Sequence, residues 1–164
     1  MDGDMVPALT IARSLGRTGQ TVVIASHEEK PIAGYSRHVH RVLTYPDPLS
    51  DEDGFLSWCE DIVGSHAFRL IIPVTERTVV PMQQLLGHFG GERIAIAPPE
   101  ALAVALDKDK TMVLAYELGI PTPKTALVEH VNQIPARLEK IDAPVVIKPM
   151  RSIGSNDADR KQLK

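Results

Sequence analysis

The order of elements in the sequence predicts an α/β fold: a parallel sheet with helices on both faces. Three observations carry this. Helical and strand patterns alternate at short spacing between Val6 and Leu106. The strand-like runs at 21–25 (TVVIA) and 70–74 (LIIPV) are apolar on both faces, as strands buried between two helix layers are. The helical runs between them each gather their apolar residues on one side.

The elements follow in order. Residues 6–15 read as a helix, with Pro7 in the first turn, where a missing N–H costs nothing. Ala8, Leu9, Ile11, Ala12 and Leu15 crowd one side, and Gly16 with Gly19 ends the run. The TVVIA strand follows, then a loop with Pro31 and Gly34, then a strand at 38–45 punctuated by Pro46 and Pro48. A second helix covers 50–63, opened by Ser50 with Asp53 as an N-cap pairing and carrying Phe55, Cys59, Ile62 and Val63 at helical spacing. After LIIPV, a third helix covers 75–89, its apolar side at Val79, Met82, Leu86 and Phe89. Gly90 and Gly91 turn the chain into a strand at 94–97, and Pro98 with Pro99 opens a helix at 100–106. A sheet of this type normally starts with a strand whose first turn carries glycines. Met1-Asp2-Gly3-Asp4 reads as the end of such a turn, so the expectation is a start that lacks its first strand.

The character changes at Asp107. A helix with a charged start covers 107–118 and is closed by Gly119. Ile120-Pro121-Thr122-Pro123 is held extended by proline sterics. A strand at 124–128, a short helix at 132–141 with Pro135 in its first turn, and a strand at 144–148 (PVVIK) follow. A polar loop with one glycine, RSIGSN, leads into a polar tail.

Composition excludes several classes. The 164 residues carry 18 Lys and Arg against 21 Asp and Glu, a net charge of −3, so no basic excess exists to neutralise a nucleic-acid backbone. Aromatic residues at 4% leave little for a base-stacking surface. A single cysteine, Cys59, rules out an internal disulfide and fits a reducing cytoplasm. No apolar run approaches the about 18 residues that span a bilayer, and the first residues have no signal-peptide pattern.

Two lysines stand out by position. Lys108 opens a helix, and Lys148 ends an apolar strand directly before the Ser/Gly loop. A lysine there keeps its stem in the core and its ammonium at the rim, where α/β proteins bind ligands. Ser152, Gly154 and Ser155 offer hydroxyls and backbone N–H groups, the donors a polyphosphate needs. Two cations and such a loop suit the charge of ATP phosphates during transfer.

The arrangement also matches a family. Asp107-Lys108, Thr111, Gly119-Ile120-Pro121-Thr122-Pro123-Lys124-Thr125 and Pro144-Val145-Val146-Ile147-Lys148-Pro149 resemble the opening of an ATP-grasp domain, in the carbamoyl-phosphate-synthase-like and biotin-carboxylase-like branch. The lysine of that pattern lies 11 residues before the glycine of the Gly-Ile-Pro-Thr-Pro element, which selects Lys108 over Lys110. The resemblance implies that Lys108 and Lys148 contact ATP phosphates and that 152–156 belongs to the loop closing over them. It implies a Rossmann-like pre-ATP-grasp domain at 1–106 and the first part of an ATP-grasp domain at 107–164. The implied reaction is that of a ligase using ATP and Mg2+ to activate a carboxylate or bicarbonate as an acyl phosphate for attack by an amine or other nucleophile. Such enzymes are often homodimers. The second half of the domain, with its Glu and Asn magnesium ligands, is not in this stretch, which by itself is not expected to turn over.

A rival reading comes from the departures. The loop has only Gly154 where the family is glycine-richer, and Asp157 and Asp159 follow closely. These would suit a non-catalytic nucleotide-binding or interaction module with a degenerate site. A dinucleotide binder would need G-x-G-x-x-G after a strand, which this sequence lacks. Glu76 follows LIIPV where such sheets place ligand groups and is a candidate to face substrate; the structural alternative is a Thr75 cap with Glu76 favouring the helix dipole. His27 ends a strand and reads as a solvated loop residue, His38 and His40 share a strand face two apart as zinc ligands sometimes do but with no third ligand evident, Arg37 reads as a surface-paired residue, and Cys59 as a core residue on a helix stripe.

Overall fold

The computed structural model describes residues 1–65, 68–87, 93–139, 141 and 143–151 and divides the chain into two units, Met1–Ala97 and Pro98–Lys164. In the first unit the opening helix, α1 (Val6–Arg17), begins with Pro7 in its first turn and yields to Gly19 at φ +82°. Strand β1 (Val22–Ser26) runs parallel to β2 (Val39–Thr44), in a register that pairs Ile24 with Val42 and Ser26 with Thr44. A short 3-10 turn, Ile32–Tyr35, lies on the crossover between them.

Alternation along β1 divides the core in two. Val22 and Ile24 pack with Ala12 of α1 and with Ala33. Ala25 faces the other way, into a larger cluster with Tyr45, Phe55, Cys59, Val63 and Met82. Phe55, Cys59 and Val63 come from α2 (Glu52–Gly64), at the spacing that puts one stripe inward. The ring of Phe55 meets Tyr45 edge-on at 5.2 Å, and Trp58 lies 5.4 Å from Tyr45. The N-cap of α2 is Asp51, whose carboxylate accepts from Gly54 N at 2.9 Å, in place of the expected Ser50.

The third helix is shorter than the pattern suggests. α3 (Glu76–Met82) contains Pro81 and passes into a 3-10 turn at Gln83–Leu85; Phe89 lies outside the described residues. Its buried face is Thr78, Pro81, Met82 and Leu85; Met82 points inward as expected and Leu86 packs partly buried against the core, while Thr78 takes the place expected of Val79. A polar threonine took the inward position for a reason given below. The strands expected at 70–74 and 94–97 reduce to one parallel bridge, Ile71 to Ile94.

The second unit has α4 (Pro99–Ala105), α5 (Lys108–Glu117) and α6 (Ile134–Leu138), with Gly119 at φ +67° closing α5. Pro135 sits in the first turn of α6, as expected. The runs at 124–128 and 144–148 are not strands. A strand is completed by its neighbour, and among the described residues neither run has one. Val146 and Ile147 are accordingly 78% and 80% exposed. The whole is an α/β chain, with one two-stranded parallel sheet among the described residues.

Candidate functional site

In the first unit the residues just past the strand ends form a polar group organised by Asp2. Asp2 is 1% exposed and has φ +55°, a left-handed conformation that Asp tolerates better than most residues. Its carboxylate accepts from Val74 N at 2.9 Å, Thr75 N at 3.0 Å, Thr78 Oγ1 at 2.6 Å and the Tyr45 hydroxyl at 3.3 Å. The start of α3 is thus held by a side chain from the far end of the unit, and Thr75 itself makes no side-chain cap. This is why Thr78 faces inward: its hydroxyl is the donor that satisfies a buried carboxylate. Burial and the neighbouring Asp2 push the Tyr45 phenol upward, so Tyr45 stays a hydrogen-bond donor.

Around this centre Ser26 Oγ donates to Asp4 Oδ1 at 2.7 Å. Arg77 Nη1 lies 2.6 Å from His27 Nε2, and Arg77 Nε lies 3.8 Å from Asp47 Oδ1. His27 also lies 3.7 Å from Asp4 and 3.5 Å from Glu28. Glu76 opens α3 and is partly buried. Asp2, Thr78 and Arg77 were not singled out from sequence. The available signal was weak: an Asp-Gly pair, and a threonine three residues into a helix whose own Thr75 leaves it uncapped.

In the second unit Asp107 caps α5, accepting from Asp109 N at 3.1 Å and Lys110 N at 3.2 Å. The Lys110 amide above all, with Arg151 Nη2 at 3.4 Å adding, holds the Asp107 carboxyl below the usual range against the opposing effect of burial. Lys108 donates twice to Met150 O, from its backbone N at 3.2 Å and from Nζ at 3.4 Å. The first residue of α5 therefore lies against the segment that carries Lys148, two positions earlier. Lys148 is exposed. Ser152, Gly154 and Ser155 lie outside the described residues. Among the described residues no three His, Cys, Asp or Glu side chains gather as a metal site, so no magnesium ligands are assigned. Among the described residues no helix is long and apolar enough to cross a membrane. Cys59 is buried in the first unit, and burial pushes its thiol up to about 12, which suits a core residue.

Comparison with known proteins gives partial matches. The chain is 28% identical over 71 residues to the carbamoyl phosphate synthase large chain of Methanoculleus marisnigri and 32% identical over 69 residues to that of Methanoregula boonei. These matches cover 43% and 42% of this chain, and 7% of each synthase. It is 30% identical over 107 residues to the formate-dependent phosphoribosylglycinamide formyltransferase of a Synechococcus strain, covering 64% of this chain and 26% of that enzyme. The chain thus spans a small part of these relatives. Both kinds of relative are ATP-grasp enzymes, and the similarity supports a fragment of an ATP-dependent ligase at the level of that superfamily. No family model and no solved structure matches the chain.

Proposed function

We propose that the chain is the amino-terminal part of an ATP-grasp ligase, with a Rossmann-like pre-ATP-grasp domain at 1–106 and the start of the ATP-grasp domain at 107–164. The observation that carries the reading is the double contact of Lys108 with Met150 O, at 3.2 and 3.4 Å, which sets one candidate phosphate ligand against the segment of the other. Lys108 and Lys148 hold the phosphates of ATP, and Ser152, Gly154 and Ser155 supply hydroxyl and N–H donors to them. ATP supplies the phosphoryl group. An oxygen of the substrate carboxylate or bicarbonate forms a bond to the γ-phosphorus, the bond to ADP breaks, and an amine or other nucleophile then displaces phosphate from the acyl phosphate. The lysines contribute positioning and charge neutralisation, the main demands of phosphoryl transfer. Asp107 serves this indirectly: by capping α5 and pairing with Arg151 it fixes the helix start that carries Lys108. Glu76 faces the substrate in this reading. The stretch alone does not turn over, works with Mg2+ held by residues not in this stretch, and belongs to a cytoplasmic enzyme, as a homodimer.

The test is Lys148→Ala in the complete protein. ATP binding is expected to weaken about tenfold or more, about 1.4 kcal/mol, or turnover to be lost. An affinity and rate equal to the parent's would overturn the assignment.

A further inference from the structure

His27, just past the end of β1, is not the solvated loop residue that its position in the sequence suggests. Its side chain is 15% exposed, and charged groups from several stretches of the first unit converge on it. Asp4, from the turn before α1, has Oδ1 3.7 Å from Nδ1. Glu28, on the same loop as His27, has Oε1 3.5 Å from Nε2. Tyr45, past β2, holds its ring 6.4 Å from the imidazole, and burial together with Asp2 keeps its phenol protonated. Arg77, in the first turn of α3, has Nη1 3.1 Å from Nδ1 and 2.6 Å from Nε2.

These distances fix how the arginine sits. The lone-pair directions of Nδ1 and Nε2 point outward and apart, so no single atom lies along both. An atom this close to both nitrogens is over the ring face, and Arg77 is therefore stacked on His27, an arrangement that a planar guanidinium favours. One carboxylate stands by each ring nitrogen, Asp4 by Nδ1 and Glu28 by Nε2. The two kinds of neighbour make opposite demands. A neutral imidazole accepts a cation on its face. An imidazolium repels that cation and gains a second N–H donor, so that both nitrogens donate beside carboxylates. Another partner for the displaced arginine is already in place, because Arg77 Nε lies 3.8 Å from Asp47 Oδ1 and both side chains are partly exposed.

We propose that His27 is a proton-operated latch between the loop after β1 and the start of α3: neutral, it lies stacked under Arg77; protonated, it bridges Asp4 and Glu28 and drives Arg77 off toward Asp47. Imidazole is the side chain whose charge ordinarily changes between about pH 5 and 8. The backbone of the same turn is held separately, by the Asp2 carboxylate on the amides of Val74 and Thr75, so releasing Arg77 opens a side-chain contact and leaves the helix start in place. Glu76 precedes Arg77 in that turn. If Glu76 faces substrate, the proton on His27 acts next to it; the latch itself stands on the first unit alone and needs no role for Glu76, Lys108 or Lys148.

The test is an NMR titration of this chain between about pH 8 and about pH 5, following the His27 ring protons, the Arg77 Nε–H and the backbone amides of Glu76 and Arg77. The Overhauser contact between the His27 ring and the Arg77 side chain is expected to weaken at least about fivefold as His27 takes up its proton, with the Arg77 signals moving along the His27 curve. In His27→Gln, which cannot titrate but leaves Asp4, Glu28 and Asp47 in place, the Arg77 and Glu76 signals are expected to stay flat until the carboxylates themselves titrate. If the Gln variant does not fold, His27→Phe keeps a flat face under Arg77 and serves the same comparison. An Overhauser contact of equal strength at both ends of the titration would overturn the proposal. So would Arg77 signals that move in the non-titrating variant as they do in the parent, since the carboxylates or another histidine would then drive them.

Discussion

Each unit buries an aspartate, and the two do different work. Asp2, in the first unit, is nearly inaccessible and joins three separate stretches: it accepts from Tyr45, from the amides of Val74 and Thr75, and from Thr78. Asp107, in the second, is 4% exposed but serves its own helix, accepting from Asp109 N and Lys110 N and pairing with the half-exposed Arg151. The surroundings differ in the same way. Phe55 and Met82 are fully buried beside the Asp2 centre, whereas Tyr116, Val131, Val146 and Ile147 of the second unit are largely exposed. A long-range polar centre is worth building where a closed core already excludes water, because there each missing partner is costly. A local cap works at a surface and needs no core.

The comparison can be broken most sharply at Phe55. Phe55→Ala is expected to cost about 4 kcal/mol in urea unfolding, since a fully buried ring leaves a cavity against Tyr45. A loss below about 1 kcal/mol would mean that the first unit has no closed core. Asp2→Ala comes next, at about 3 kcal/mol, because two amides, a threonine and a tyrosine lose a common buried acceptor. Its signature is local as well: the amides of Val74 and Thr75 should exchange faster while Asp109 and Lys110 are unchanged. At the second unit the effect is a pH dependence. The Asp107 pKa is lowered in the fold, so its contribution is fully present above the ordinary carboxylate range and is lost as pH falls through the lowered value. Amide shifts of Asp109 and Lys110 should titrate together below the range of exposed aspartates; titration within that range would remove the cap from the account. Smallest of all is Ile147→Ser. At 80% exposure it is expected to change stability by less than about 0.5 kcal/mol, and a larger loss would show that the second unit hides a core.

The sequence by itself determined the local elements. α1, β1, β2, α4 and α5 stand within a few residues of their expected places because Pro7, Gly19, Pro99, Asp107 and Gly119 act on their own neighbours. It also placed Cys59 on a buried stripe, since helical spacing is local. What only the tertiary structure decided was pairing. PVVIK has the composition of a strand and lies exposed without a partner among the described residues, and LIIPV keeps one bridge. The inward turn of Thr78 in place of Val79 came likewise from outside the helix, from a carboxylate at residue 2. Hydrophobic pattern and turn chemistry act over a few residues. A ladder neighbour or a shared acceptor is supplied by chain far away in sequence, and no window of residues contains it.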